Sequence, residues 1–285
     1  MADERSNGSN HVTGKAIIVT GAGSGFGRLT CQLAASLGGR IVAADIDGDA
    51  AKETAAGIVS SGGQAEAVAA DVTRKSDMDR VAAVAVERFG AIDVLVNNAG
   101  VMPLAFFADH ERAWEAWDRA IDINLKGVVH GIAAVYDRMI EQGRGHVVNI
   151  SSIYGNRGSA GSGVYSATKA AVVVLSDSLR TEAQGKIKVT VVRPTGVMGT
   201  NLGSGVINAE ASIGITGQNA GRFGERIHQW LEGTLPPEAQ DVDSPGYWLI
   251  TPEDLAAQIV GVINTPWGLD ISDITVRATG EDFVQ

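Results

Sequence analysis

Runs of four to six apolar residues alternate along this chain with longer stretches in which apolar positions recur at three and four residues. The short runs predict strands near 16–20, 41–45, 65–70, 92–96, 146–150, 188–193 and 271–276. The longer stretches predict helices near 26–37, 48–60, 76–89, 112–142, 163–184 and 252–264. Strands without polar alternation are those buried on both faces, so the pattern implies an α/β fold, a parallel sheet with helices on either side. Two segments stand outside it. Residues 1–13 are mostly polar and are expected to form a flexible tail, and residues 201–244 mix glycines with scattered large apolar side chains.

With 285 residues, 45% of them hydrophobic, the chain can bury one large core, and a single domain over 14–285 is expected. A net charge of −10 argues against nucleic acid or an anionic membrane as partner, because both attract basic surfaces. No run has the length to span a bilayer and the start lacks an apolar signal core, so a cytoplasmic protein is expected. Cys31 is the sole cysteine, which excludes an intrachain disulfide, and its apolar neighbours suggest packing.

Three features carry chemistry. Ala16-Ile17-Ile18-Val19 leads into Thr20-Gly21-Ala22-Gly23-Ser24-Gly25-Phe26-Gly27 and then a helix-like stretch. Glycines at such a turn admit close approach of a ligand, and the following helix N-terminus favours a pyrophosphate. The second predicted strand ends in Asp45, at the place where a dinucleotide-binding unit reads the adenosine ribose. A carboxylate there accepts from both ribose hydroxyls and repels a 2′-phosphate, which favours NAD over NADP; Arg28 and Arg40 are the nearby cations that bear on this reading. Finally, Tyr165 and Lys169 are four residues apart on a predicted helix, which puts them on one face. A cation beside a phenol favours the phenolate and makes it a usable base.

In this order, these features resemble the short-chain dehydrogenase/reductase family. Further motifs match it: Asp71-Val72 is similar to the adenine contact, Asn97-Asn98-Ala99-Gly100 to the turn after the fourth strand, and Ile123-Asn124-Leu125-Lys126-Gly127 to the segment bearing the catalytic asparagine. Ser152 in Asn149-Ile150-Ser151-Ser152 stands at the family's interval before Tyr165, and Arg193-Pro194-Thr195-Gly196 resembles the nicotinamide segment. The likeness covers roughly residues 14–200. It implies a doubly wound, seven-stranded Rossmann sheet of order 3-2-1-4-5-6-7, with cofactor across the switch between strands 1 and 4.

It also implies roles. Tyr165 is the acid–base, Ser152 holds the reacting oxygen, Lys169 lowers the phenol pKa and binds the nicotinamide ribose, and Asn124 supports a proton exit through water. Gly21, Ser24, Gly25, Phe26, Gly27, Asp45, Asp71, Val72, Asn98, Ala99, Gly100, Tyr165, Lys169 and Pro194 form the implied NAD site. Pro194-Thr195-Gly196-Val197-Met198-Gly199-Thr200 departs from the usual spacing, with Val197 and Thr200 the expected nicotinamide contacts.

The expected activity is interconversion of a hydrophobic secondary alcohol, cyclic, aromatic or terpenoid, with its ketone, in the cell toward oxidation. Sugar or polyol dehydrogenation and carbonyl reduction are same-family alternatives. A non-catalytic NAD-binding sensor would not need the complete Asn124, Ser152, Tyr165, Lys169 set, and an epimerase or dehydratase usually has a different glycine spacing and a longer chain. Residues 201–244 are expected to be a substrate lid, with Phe223 and Trp230 two helical turns apart. Arg222 and Arg226 share a helical face, either solvated or facing a substrate carboxylate. The five histidines show no metal-ligand spacing, so no metal is expected. Apolar surplus in 112–142 and 163–184 implies a homo-oligomer, a tetramer by family likeness.

Overall fold

Ile17 and Val19 leave β1 (Ala16–Thr20) toward one side and Ile18 toward the other, and every residue of the strand is buried. In β2 (Arg40–Asp45) the four inner residues are buried, Ile41 and Ala43 facing one layer and Val42 and Ala44 the opposite one, while Arg40 and Asp45 are half-buried. This two-sided burial is why these strands lack polar alternation. The computed structural model describes residues 10–285. Five further strands, β3 (Gln64–Ala69), β4 (Val94–Asn97), β5 (Gly145–Ile150), β6 (Ile187–Pro194) and β7 (Asp273–Val276), complete a parallel sheet of order β3-β2-β1-β4-β5-β6-β7.

One helical layer contains α1 (Gly25–Ser36), α2 (Gly48–Ser60) and, near the C-terminus, α9 (Pro252–Ile263); Cys31, Ala34, Ile58, Leu255 and Ile259 close it onto the sheet. The other contains α3 (Lys75–Phe89), α5 (Gly127–Gln142) and α6 (Gly163–Glu182), which pack through Val81, Ala85, Val135, Met139 and Leu179. The polypeptide leaves β3 and returns at β4 on the far side of β1. The strand order therefore reverses between β1 and β4, and a crevice opens at their C-terminal ends.

The starts of α2 and α9 carry side-chain caps. Asp47 accepts from Asp49 N and Ala50 N at the start of α2, and Thr251, Pro252 and Asp254 form a capping box with proline in the first turn of α9. At α1 the cap position is Ser24, in extended conformation and with no side-chain cap bond. The first amides of α1 thus have no side-chain partner of this kind.

The expected helix over 112–142 runs without interruption from His110 to Gln142 but widens at its middle. α4 (His110–Ile121) passes into a wide π turn, Asp122–Lys126, before α5 begins, and Gly127 N donates to Asp122 O five residues back. The cause is tertiary: Asn124, within the turn, accepts from Val101 N and donates to Val101 O, both at 2.9 Å, and these bonds draw it inward. The flexible tail expected over 1–13 also needs correction. Val12 is fully buried, His11 N donates to Asn264 Oδ1 at 2.6 Å, and Asn10 Nδ2 donates to Leu37 O at 2.8 Å, so residues 10–13 are tied to the domain. The rest of that tail, 1–9, lies outside the described residues. Among the described residues no helix is long and apolar enough to cross a membrane.

The segment 201–244 folds into short turns around α7 (Ala220–Glu232) and α8 (Pro237–Gln240). It covers the C-terminal ends of β5 and β6 and forms one wall of the cleft described next.

Candidate active site

The glycine turn between β1 and α1 is held by what lies behind it. A Cβ on Gly27 would collide with the Gly21 carbonyl and Asn98, whereas the Cβ position of Gly25 meets nothing nearer than Thr200 at 3.8 Å. Gly25 has a φ of +51°, a left-handed conformation suited to glycine. The turn is therefore tight on its inner side and open toward Thr200, a shape that can receive a phosphate at the α1 N-terminus. Thr20 fastens it to the turn after β4: its Oγ1 accepts from Asn98 N at 3.0 Å and Ala99 N at 3.1 Å, and Asn98 Nδ2 returns a bond to Thr20 O at 2.7 Å. The sequence reading gave Thr20 no role of its own.

A groove of about 310 Å³ follows, lined by the predicted Gly21, Ser24, Gly25, Phe26, Gly27, Asp45, Asp71, Val72, Asn98, Ala99, Gly100 and Thr200. Asp45 accepts from Gly23 N at 2.7 Å and Asp47 N at 2.9 Å, leaving lone pairs for two ribose hydroxyls. The two arginines that weighed on cofactor choice are engaged elsewhere. Arg28 donates to Gly23 O and pairs with Glu53, and Arg40, at the other end of β2, donates to Phe89 O at 3.0 Å and Gly14 O at 2.6 Å. Burial raises the Asp71 carboxyl, but bonds from Thr73 and the nearby Arg74 and Arg119 outweigh it and hold the pKa below the ordinary value. Arg119 reaches the same end of the groove, beside an acidic shelf of Glu115, Asp118 and Asp122, and was not foreseen.

The groove continues into a larger cleft of about 660 Å³ whose floor holds Ser152, Tyr165 and Lys169. Tyr165 and Lys169 lie on α6, with Lys169 Nζ 5.8 Å from the phenol ring centroid. Ser152, at the end of β5, hydrogen-bonds the Tyr165 side chain, whereas Ser151 Oγ donates to the Lys169 carbonyl at 2.8 Å. Asn124 is placed by the π turn; its Nδ2 also donates to Thr168 Oγ1 at 3.2 Å. A Cβ on Gly100 would lie 3.2 Å from Asn124 Oδ1 and 3.5 Å from Lys169 Nζ, so Gly100 sits between these two polar groups.

Burial sets the electrostatics here. It raises the Tyr165 phenol to about 12, against the opposing Ser152 hydrogen bond, and lowers the Lys169 ammonium to about 8. Burial thus raises the phenol where the lysine alone implied a depressed value, and the Ser152 hydrogen bond offsets it only in part. Lys169 Nζ donates to Ile150 O at 2.9 Å.

Pro194, Val197 and Thr200 all line the cleft, and Val197 pairs in a bridge with Ile250. The remaining wall is mainly apolar, with Met102, Leu104, Ile153, Met198, Ile213 and Ile227, and also carries Thr195, Glu210 and Ser212. Phe223 and Trp230 of α7 both face it. Tyr154, edge-on to Tyr165 at 5.6 Å, and Phe283 also line it and were missed. Arg222 and Arg226 do not face a substrate: both pair with the buried Asp282.

Residues 15–210, from β1 through Tyr165 and Lys169 and into the segment after Thr200, match the family described as short chain dehydrogenase. The chain belongs to the short-chain dehydrogenase family. Two curated relatives of this dehydrogenase are an uncharacterized oxidoreductase of Listeria monocytogenes, 30% identical over 95% of this chain and 99% of its own, and one of Staphylococcus aureus, 35% identical over 93% and 98%. Among solved structures it is similar to a 7α-hydroxysteroid dehydrogenase complexed with NADH and 7-oxo glycochenodeoxycholic acid (TM-score 0.76, 25% identity, 96% of this chain and 97% of that one). A metagenomic short-chain oxidoreductase in complex with NADP gives a TM-score of 0.70 at 26% identity, covering 94% and 99%. The dehydrogenase therefore has an established fold, and a nicotinamide dinucleotide as its cofactor class.

Proposed function

We propose that the protein oxidises apolar secondary alcohols, cyclic or polycyclic in body, with NAD, and runs the reverse reduction when the ketone is supplied. The observation that carries this is the joint placement of Ser152, Tyr165 and Lys169 on the floor of a large cleft whose walls are mainly aliphatic and aromatic. Such a cleft gains affinity by burying apolar surface and fixes orientation with few polar groups. The solved relative that holds a 7-oxo steroid conjugate supports a substrate of that size, and Asp45 with its two arginines engaged elsewhere supports NAD.

The glycine turn and the uncapped α1 N-terminus would hold the pyrophosphate, Asp45 the adenosine ribose, Lys169 the other ribose, and Pro194, Val197 and Thr200 the amide end. When bound, the nicotinamide supplies the hydride acceptor or donor and, in its oxidised form, a positive charge near the phenol. Every proton step belongs to the chain. Ser152 donates to the reacting oxygen and holds it against Tyr165; Tyr165 takes the hydroxyl proton during oxidation and returns it during reduction. Lys169 favours the phenolate, and Asn124, fixed by Val101, would hold a water that passes the proton onward. The apolar walls exclude bulk water from the reacting oxygen. We further propose that α4 and α6 pair across a two-fold axis in a tetramer, since Phe107, Trp114, Ile121 and Val174 are exposed on or beside them.

A spectrophotometric screen of secondary alcohols at 340 nm, each with NAD and with NADP, tests the activity. Cyclic and polycyclic alcohols are expected to give the highest kcat/KM, with NAD ahead at least tenfold, about 1.4 kcal/mol. Turnover confined to polyols, or equal use of both cofactors, would overturn the corresponding half of the proposal.

A further inference from the structure

Residues 277–285 carry no motif, yet their placement is more tightly specified than a tail requires. Asp282 is completely buried. Its carboxylate accepts from Trp248 Nε1 at 2.8 Å and from Arg222 Nε, with Arg226 Nη1 at 3.8 Å. Its carbonyl accepts from Asn219 Nδ2 at 3.0 Å, and Gly280 O accepts from Arg226 Nη1 at 2.8 Å. Val284 closes the strap on the other side, its N donating to Ile215 O at 3.1 Å and its O accepting from Arg157 Nη2 at 2.9 Å. Lid helix α7 and the tail thus share one buried ionic anchor.

The residue between these fastenings is Phe283. Its ring packs against Phe223 at 5.7 Å, lies over Gly196, where a side chain would collide with it, and faces the cleft. It packs at once on the apolar cluster around Tyr165, Leu104 and Ile153 and on the lid cluster around Trp248 and Leu249. No other residue joins both clusters among the described residues. A buried carboxylate is a costly way to hold a tail when apolar packing would serve, and what the ionic pairs add is direction.

We infer that Phe283 is a specificity-determining residue of the cleft and that Asp282 is its positioning residue: the fixed ring forms the far wall against which a rigid, bulky apolar alcohol rests, favouring such alcohols over short ones. This rests on the alcohol-oxidising reading above.

The test uses the full chain and the variants Phe283→Ala, Phe283→Leu, Asp282→Ala and Asp282→Asn. Two readouts are compared: kcat and KM on a short secondary alcohol and on a polycyclic one, and binding of a polycyclic ketone to the protein–NADH complex followed by NADH fluorescence. Phe283→Ala is expected to lower the bulky-to-short ratio of kcat/KM at least tenfold, mainly through KM, and to weaken ketone binding by a similar factor; Phe283→Leu should recover most of both. Asp282→Ala should shift the ratio the same way, and Asp282→Asn, which keeps an acceptor for Trp248, should retain at least half of the selectivity. Equal losses on short and bulky alcohols, a fall in kcat alone, or a parent that does not bind the ketone would overturn the inference. Ketone binding that depends on Phe283 in a protein that oxidises no alcohol would instead refute the proposed activity and leave the role of Phe283 standing.

Discussion

Replacing Lys169 by methionine is expected to abolish turnover and to stabilise the fold, and the gain should depend on pH in a way that identifies its origin. The ammonium is 5% exposed, and burial alone lowers its pKa from 10.5 to about 8. Because the folded pKa lies below the unfolded one, stability is full above pH 10.5 and falls as pH drops through 8, where the folded protein must carry the charge. A depression of this size corresponds to about 3 kcal/mol of penalty at pH 6.5. Methionine fills similar space without a charge, but it forfeits the bond to Ile150 O at 2.9 Å, about 1 kcal/mol. The net expectation is a gain of about 2 kcal/mol at pH 6.5. At pH 10 the lysine penalty falls below about 1 kcal/mol, and the gain should vanish. Urea denaturation at both pH values and one protein concentration measures this directly. A gain of the same size at both pH values, or a loss confined to pH 6.5, would refute the reasoning. The prediction joins the two roles of one side chain: the amine that serves the chemistry weakens the fold that holds it.

Four further outcomes are expected. Tyr165→Phe should lower kcat by ~10²–10⁴-fold and leave NADH affinity within a few-fold, because the phenol acts on the substrate oxygen; retention of most of the activity would remove Tyr165 from its role. With Lys169 near 8 and Tyr165 near 12, the first proton leaves the coupled pair near pH 8 whichever residue carries it, so kcat/KM for oxidation should rise through about 8, and a limb at 10 or above would contradict this. Asp45→Asn, which keeps an acceptor for Gly23 N, should narrow the preference for NAD by removing the charge that repels a 2′-phosphate, while Asp45→Ala should also weaken both cofactors by loosening the glycine turn. Light scattering should give a particle of about four chains at micromolar concentration; a 29.6 kDa species there would rule out the proposed tetramer.

The sheet was readable from the chain because its strands are buried on both faces, which leaves uninterrupted apolar runs such as Ile17-Ile18-Val19. The cofactor groove and the tyrosine–lysine pair were readable because each depends on local geometry: a turn needs glycines, and two side chains four apart share a helix face. Features made by distant partners were not. Asn124 turns inward because of Val101, 23 residues earlier, and nothing in 112–142 marks the place where the helix widens. Arg222 and Arg226 looked available for a substrate until Asp282, 60 residues beyond Arg222, proved to be their partner. The phenol was assigned a depressed pKa by counting the neighbouring charge, and burial, which reversed the sign, is a property of the packed molecule. Phe283 had no periodic neighbours from which its position in the cleft followed.

The π turn at Asp122–Lys126 places one more residue between α4 and α5 than a regular helix would. A residue in an α-helix advances the side-chain direction by about 100°. The wide turn absorbs that rotation, so deleting one residue there would relax it to a regular helix with α5 still seated through Val135 and Met139, and would carry Asn124 off Val101. No single substitution can interconvert the two arrangements, since they differ in length and not in side chains. The position of Asn124 is therefore locked by residue count: within this segment the dehydrogenase can tolerate changes of identity far more readily than a change in number.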